Sequence, residues 1–410
     1  MKIAVVSKAN AAGGGASRVA EDQAGWLIDA GHEVTHFCGA IIGTALSYQR
    51  PLFPDRGLGK VLRAVDLKIR NQGLCDGTGF EYTWLFRDLA NRFEVVHFHD
   101  HYRTFSMRAI AKLSEHLPVV FTAHDCLHFT GGCLYPMGCD RFAQRCGQCP
   151  QKRSVGRFDF TRLNLKRNQA AAAGARLSWI YPSKWLANLS ATSIDHRNAC
   201  YRIPYGFDPA PYRFQTRIDA RRSLGLPLDR RILCISAHYL SDRRKGTDFA
   251  IRAAASVHDL DPLVLLVGHP TGGVSEALGQ TPFWFSGYVS SRERLGLLYA
   301  AADAFLFCPL EDNLPISVQE SMAAATPVVG FATGGVAEMV INGETGWLVP
   351  TGDQTALNTS LRAALTGKQL EATGQLARKR LLDTFDKATC VSRLEATYND
   401  TRDRIRRAGT

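Results

Sequence analysis

Short apolar runs alternate with longer stretches whose apolar residues recur at helical spacing, and the whole alternation occurs twice. Runs at 2–6, 33–38, 95–99, 119–123, 178–182 and 200–203 predict the strands of a first sheet. A second series follows at 231–236, 263–268, 283–286, 304–308, 328–331 and 346–349. Helical periodicity fills the intervals, for example at 247–257 and 291–302, and a last helix is expected over about 388–407. Near-continuous apolar strands joined by helices are the pattern of parallel sheets covered on both faces. The segment PYGFDPAPYRF after Ile203, rich in proline and aromatics, reads as a linker between the two series.

At 410 residues the chain is too long for one ordinary core, so two α/β domains are expected. In open parallel sheets, ligands sit at the carboxyl ends of the strands, and two such sheets predict a cleft between domains. No apolar run approaches the roughly eighteen residues needed to span a bilayer. The opening strand runs directly into Ser7-Lys8 rather than a cleavage site, so a cytoplasmic protein is expected. The net charge of +11 is uneven: residues 1–200 hold 25 Lys and Arg against 16 Asp and Glu. A basic first half suits an anionic partner, whether lipid head group, lipid-linked phosphate or nucleic acid, or serves solubility alone.

The most informative stretch is 309–353, PLEDNLPISVQESMAAATPVVGFATGGVAEMVINGETGWLVPTGD. Asp312 and Glu320 stand eight apart, about 80° from facing alike on one helix. A helix starting near Ser317 instead leaves Asp312 in the preceding loop and Glu320 in the first turns. That geometry suits a sugar joined to a diphosphate, with carboxylates for hydroxyls and free N–H groups for phosphates. A strand at 327–331 and a Gly334-Gly335 turn opening another helix complete the segment.

Other candidates fall at predicted strand ends. Ala12-Gly13-Gly14-Gly15-Ala16-Ser17-Arg18 follows the first strand and opens a helix to about residue 30, which favours a diphosphate without being a dinucleotide fingerprint. His124 ends the strand at 119–123, as a site residue or a structural histidine. His97, His99 and His101 alternate on another strand, which equally describes an acceptor site or a half-buried strand. Asp242-Arg243-Arg244-Lys245-Gly246 follows the first strand of the second series. Fixed cations there could stabilise a departing diphosphate without a catalytic metal, or form a solvated charge run.

Cys133, Cys139, Cys146 and Cys149 cluster in GGCLYPMGCDRFAQRCGQCPQ, within an insertion at 126–150 that starts with Cys126. Four thiolates suit a structural, tetrahedral zinc; paired or free thiols and an iron–sulfur centre are the alternatives. Two basic stretches, 58–70 and 152–167, interleave cations with apolar residues, Phe158, Phe160, Leu163 and Leu165 among them in the second. Each suits either an anionic membrane surface or a core-facing helix with a solvated side.

The ordered run from Asp312 through Glu320, Gly334-Gly335, Glu338 and Asn342-Gly343-Glu344-Thr345-Gly346 resembles the donor-binding signature of the family-4 retaining glycosyltransferases. The resemblance extends over nearly the whole chain and includes Pro204, Gly206 and Asp208. It implies the GT-B fold: a Rossmann-like acceptor-side domain at 1–205, rejoined by a C-terminal helix at 388–410, and a nucleotide-sugar domain at 206–387. It implies that Glu320 holds the ribose, Asp312 the donor sugar, and His124 the sugar or the developing positive centre. Lys245, with Arg243 or Arg244, would meet the diphosphate, and Gly14, Gly15, Asn313, Ile316, Ser317, Gly334 and Gly335 would line the donor. The chain departs from the family twice: Asp312 stands where Glu is usual, and Ala237-His238 stands where an Arg is usual.

A Cys-rich insertion of this kind also occurs in exopolysaccharide glycosyltransferases of colanic-acid type. The expectation is therefore transfer of a hexose from a GDP- or UDP-sugar to a saccharide acceptor, lipid-linked and met on the inner face of the membrane, with no catalytic metal and no nucleic-acid partner. A phosphorylase or hydrolase on the same scaffold, and a zinc-stabilised nucleic-acid-binding protein, are the competing readings.

Overall fold

The structure, a computed structural model, describes all residues except 54, 55, 76, 78, 80, 91, 153–158, 195–198, 213, 271, 409 and 410; for 84, 85, 87, 152 and 408 only the backbone is described. The chain divides into two units, Met1–Tyr205 with Ala388–Thr410, and Gly206–Lys387.

The first unit holds β1 (Lys2–Ser7), β2 (Glu33–Cys38), β3 (Gln49–Pro51), β4 (Val95–His99), β5 (Val119–Thr122), β6 (Leu177–Tyr181) and β7 (Cys200–Arg202). They form one sheet in the order β3-β2-β1-β4-β5-β6-β7, with every neighbouring pair parallel. Alternate side chains feed two separate cores. Ala4, Val6, Val96, Phe98, Phe121 and Trp179 face one way, while Ile3, Val5, Val95, Val120 and Ile180 face the other. The second face is closed by the last helix, Lys387–Ala408, through Val391, Leu394 and Tyr398.

The second unit holds β8 (Ile232–Tyr239), β9 (Leu263–His269), β10 (Phe283–Gly287), β11 (Ala304–Phe307), β12 (Val328–Phe331) and β13 (Gly346–Val349), in the order β10-β9-β8-β11-β12-β13. This sheet is parallel as well. Its central strands β11 and β12 are buried at every residue, as expected for a sheet covered on both sides.

Both sheets are the parallel α/β sheets that the apolar runs predict. The strand not foreseen is β3, whose Gln-Arg-Pro has no apolar run and sits at an edge, where proline is tolerated. Strand order reverses between β1 and β4 in one sheet and between β8 and β11 in the other. Diverging connections at such a reversal leave a crevice beyond the strand ends. Among the described residues, no helix is long and apolar enough to cross a membrane. The basic stretch at 58–70 forms helix Gly57–Asn71. Of the stretch at 152–167, residues 161–167 lie in helix Thr161–Gly174, and 153–158, Phe158 among them, lie outside the described residues.

Candidate functional site

At the reversal in the second sheet, the loops leaving β8 and β11 meet. Arg243–Lys245 makes one turn of 3-10 helix, capped by Asp242, whose carboxylate accepts from the Arg244 N–H. Gly246 then starts helix Thr247–Ala255 at φ 60°; a Cβ there would stand 1.7 Å from the Cys308 carbonyl oxygen. Only glycine permits that approach, and it brings the Leu310 N–H to the Arg244 carbonyl at 2.8 Å. Gly334 does the same on the other side: its φ is 53° and its Cβ would lie 1.8 Å from the Asp312 carbonyl oxygen. Thr333 Oγ1 donates to the Leu310 carbonyl at 2.9 Å, tying the third loop down.

These contacts set Asp312 in a buried, cationic setting. Lys245 Nζ donates to its Oδ2 at 2.6 Å and Arg244 Nη1 to the same oxygen at 3.2 Å, while the Asn313 N–H donates to Oδ1 at 3.0 Å. Burial alone would raise the Asp312 carboxyl, but the Lys245 and Arg244 charges outweigh it and hold it below the usual carboxylate range. The structure also separates the two arginines left open by the sequence: Arg244 reaches Asp312, and Arg243 is exposed.

Asp312 lies in the loop, and helix Ile316–Ala323 begins four residues later, so Glu320 falls in its second turn. Glu320 is buried, and its Oε1 accepts from the Tyr212 hydroxyl at 2.9 Å. Tyr212 in turn stacks on Phe207 with ring centroids 5.0 Å apart. The N–H groups of Ile316 and Ser317 belong to the first turn, which lacks carbonyl partners within the helix. Beyond Gly334-Gly335 the expected helix is one turn, Val336–Met339, too short for a substantial macrodipole. The Gly335 N–H donates to the Asp312 carbonyl at 3.2 Å, so it braces the loop.

Four rings gather where β8, β9 and β10 end, a feature not foreseen from the sequence. His269 stacks on Tyr288 at 4.9 Å and 6°, and on Tyr239 at 5.1 Å and 26°, with His238 edge-on to both His269 and Tyr288. Tyr239 and Tyr288 are 56% and 47% exposed, which leaves the platform open on the surface of the unit. Burial, then the neighbouring His269, lower the His238 imidazole. The available signal was aromatic residues closing adjacent strands, which becomes meaningful only once those strands are neighbours.

In the first unit, the glycine loop follows β1 as a 3-10 turn, Ala11–Gly13, and Gly14 (φ 109°) caps helix Gly15–Asp29 with no side-chain partner. Beside it, Lys8 pairs with Asp100 at 3.2 Å. The Asp100 charge holds the Lys8 ammonium above its usual range against the effect of burial. This pair, at the β1/β4 reversal, was not foreseen either.

His97 and His99 share one face of β4 and belong to a buried chain of hydrogen bonds. Thr122 Oγ1 lies 2.7 Å from His97 Nε2, His97 Nδ1 3.3 Å from His99 Nε2, and His99 Nδ1 3.0 Å from His124 Nε2. His124 Nδ1 is 2.6 Å from the Tyr205 hydroxyl, and the Tyr398 hydroxyl of the last helix is 2.8 Å from His97 Nδ1. Burial lowers His97 to about 3 and His124 to about 4, and takes His99 well below the ordinary value. The rings are therefore neutral near pH 7, each with one N–H, so a change of tautomer at one propagates along the chain. His101 packs edge-on to Phe121 instead.

Cys133, Cys139, Cys146 and Cys149 line one recess with Phe142 and Thr161, while Cys126 joins the apolar core. All are free thiols; burial pushes Cys133 up to about 12 and raises Cys146. The donor set has the chemistry of a zinc site. Even so, among the described residues no three His, Cys, Asp or Glu side chains gather closely enough to hold a metal ion.

Residues 216–380 match the family described as glycosyl transferases group 1, and residues 14–162 match the glycosyl transferase 4-like domain. The chain is similar to the D-inositol 3-phosphate glycosyltransferase of Corynebacterium diphtheriae, 26% identical over 44% of this chain and 45% of that protein. It thus matches less than half the length of that relative. Sucrose-phosphate synthase from Thermosynechococcus elongatus superposes with a TM-score of 0.73 at 20% identity, over 97% of this chain and 98% of that one. HepE of Anabaena in complex with UDP-glucose gives 0.68 at 17% identity, over 98% of this chain and all 100% of its own. At those identities the likeness is one of fold. Two domain matches in chain order, one in each unit, on a GT-B fold support a family-4 glycosyltransferase.

Proposed function

We propose that this chain is a retaining glycosyltransferase that moves a hexose from a UDP- or GDP-linked donor to a saccharide acceptor. The observation that carries the reading is the buried Asp312 with Lys245 and Arg244 on one of its oxygens, at the reversal of a parallel sheet. Two cations held that way are poised for an incoming diphosphate, and the carboxylate for sugar hydroxyls. Glu320 takes the ribose. The exposed rings of Tyr239 and Tyr288 offer a flat surface for the base. The similarity to HepE, which is described with UDP-glucose, supports a nucleotide-sugar donor.

In the reaction, the bond between the anomeric carbon and the phosphate oxygen breaks as the acceptor oxygen bonds that carbon from the same face. The acceptor proton passes to the departing phosphate, so no covalent enzyme nucleophile and no catalytic metal is used. Lys245 and Arg244 stabilise the charge that accumulates on the diphosphate. His124, whose two ring nitrogens are engaged by His99 and Tyr205 within the first unit, is assigned to the sugar on the strength of the family resemblance.

A lipid-linked acceptor in cell-surface or exopolysaccharide synthesis, met by a cytoplasmic protein at the membrane face, belongs to the same proposal. So does a structural zinc on Cys133, Cys139, Cys146 and Cys149, which line one recess but would have to draw closer together to share an ion. Thermal-shift screening against nucleotide sugars tests the donor, since a ligand that binds the folded state raises its melting temperature. No shift with any UDP- or GDP-hexose sinks the reading. Sugar released from the donor at full rate without acceptor makes the protein a hydrolase.

A further inference from the structure

Helix Gly57–Asn71 is folded with its polarity reversed. It buries Asp66 and Arg70, which are 4% and 6% exposed, and leaves Leu58, Val61 and Val65 at 72%, 58% and 46%. The cause is an ion network on the inward side. Arg70 Nε donates to Asp66 Oδ2 at 2.6 Å, its Nη2 to Glu81 Oε1 at 3.0 Å, and its Nη1 to the Phe105 carbonyl at 3.0 Å. Arg63 lies over the Phe53 ring at 4.0 Å and donates to the Arg103 carbonyl at 2.9 Å. With Asp66 and Arg70 committed inward, Leu58, Val61 and Val65 are left outside, while Leu62, Leu67 and Ile69 are half-buried.

Residues three, four and seven apart share a helix face, so Leu58, Val61 and Val65 form one stripe, with exposed Ala64 beside it. Lys68 falls within a residue's width of the same stripe and Lys60 flanks it; Arg56 precedes the helix, and all three are exposed. The helix's single acid, Asp66, is on the buried side. An outward helix face of aliphatic side chains bordered by cations, with no acid among the described residues of that face, is complementary to one kind of partner: lipid acyl chains beneath anionic head groups.

We propose that this stripe docks on an anionic lipid bilayer, with Leu58, Val61 and Val65 entering the acyl boundary and Arg56, Lys60 and Lys68 meeting head-group phosphates. A second copy of the chain is the weaker occupant. Pairing two such faces sets lysine against lysine, and a stable dimer typically buries about 800 Å² and about 20–30 residues per partner, well beyond one stripe. The docking surface stands on its own geometry; it adds to the proposed function the place where a lipid-linked acceptor is met.

The test is co-sedimentation of the full chain with vesicles of phosphatidylcholine alone, or with about 30% phosphatidylglycerol added. The expected result is binding to the anionic vesicles that weakens with salt, and slowed amide exchange across 57–71 when they are present. Leu58→Ser/Val61→Ser/Val65→Ser should lose about tenfold or more in binding, and Lys60→Gln/Lys68→Gln about fivefold per lysine. Both variants should keep the wild-type melting temperature, because the altered side chains are exposed. Wild-type protein that ignores anionic vesicles, or a triple serine variant that binds like wild type, overturns the proposal. So does a wild-type dimer in sedimentation velocity that the triple variant dissociates. The nucleotide-sugar thermal shift of the triple variant is read in parallel: its absence in wild type as well counts against the transferase reading and leaves the docking surface untouched.

Discussion

Lys245 Nζ donates to Asp312 Oδ2 at 2.6 Å, although 67 residues separate them in the chain. The pair assembles because β8 and β11 are neighbours at the sheet's reversal and Gly246 lets the two loops close. A diphosphate entering here competes with Asp312 for the same cation. Lys245→Ala should lower kcat on the order of 100-fold. Leaving Asp312 buried with one cation fewer should also lower the melting temperature, which calorimetry would register.

Glu320→Ala should remove most of the transfer activity, also on the order of 100-fold, while the protein stays folded. Tyr212→Phe provides the graded control. It deletes the hydroxyl that donates to Glu320 Oε1, so donor affinity should fall by about 1 kcal/mol with little change in kcat. Steady-state kinetics with circular dichroism on both variants checks this; near-normal turnover by Glu320→Ala contradicts the assignment.

Gly246→Ala puts a methyl 1.7 Å from the Cys308 carbonyl oxygen at a residue with φ 60°. The loop has to move, and the cost should be about 2–4 kcal/mol in unfolding free energy. Denaturant titration reads it directly. Gly225→Ala is the comparison: its φ is also positive, at 66°, but a Cβ there meets nothing within 4 Å, so its loss should be smaller.

The buried histidines predict acid lability: those of the chain on β4, and His36 of β2, whose Nε2 lies 2.8 Å from the Ser7 hydroxyl. His36, His97 and His124 fall from about 6.5 in an open chain to about 4, 3 and 4 in the folded protein. A lowered imidazole stays neutral in the fold while the unfolded chain takes up protons below about 6.5, so stability drops as pH falls from there toward 4. Each such group contributes a slope approaching about 1.4 kcal/mol per pH unit in that window. Unfolding free energy measured between pH 7 and 4.5 should show this, and His36→Gln should make the slope shallower. A flat profile would mean that the rings ionise freely.

Zinc at the Cys recess predicts that purified protein carries about one metal per chain and that a chelator lowers its melting temperature. Ligation requires thiolates, whereas burial holds Cys133 up at about 12, so metal uptake should release protons and slow alkylation of Cys133. Elemental analysis showing no zinc, with unchanged alkylation after zinc is added, removes the metal from the proposal.

Much of this was legible in the chain itself. Strands β2, β4, β12 and β13 coincide with the runs read from the sequence; β12 is buried and without a polar side chain at every residue, whereas β4 carries His97 and His99 inside. A helix starting near Ser317 places Asp312 in the loop and Glu320 in the helix after it, and the helix indeed begins at Ile316. Lys245, Gly246 and Gly334 stood out by following expected strands and by the family resemblance.

What the sequence alone determined is the two-sheet α/β architecture and the loops that follow its strands, since strand burial and turn residues are local properties of the chain. Tertiary structure alone decided that Arg244 rather than Arg243 reaches Asp312, that Tyr212 holds Glu320, and that four rings meet at the ends of β8, β9 and β10. It also decided that helix Gly57–Asn71 turns its aliphatic face outward. Periodicity reports that a helix has two faces; which one is buried depends on partners such as Glu81 and Phe105, whose position comes only from the packed fold.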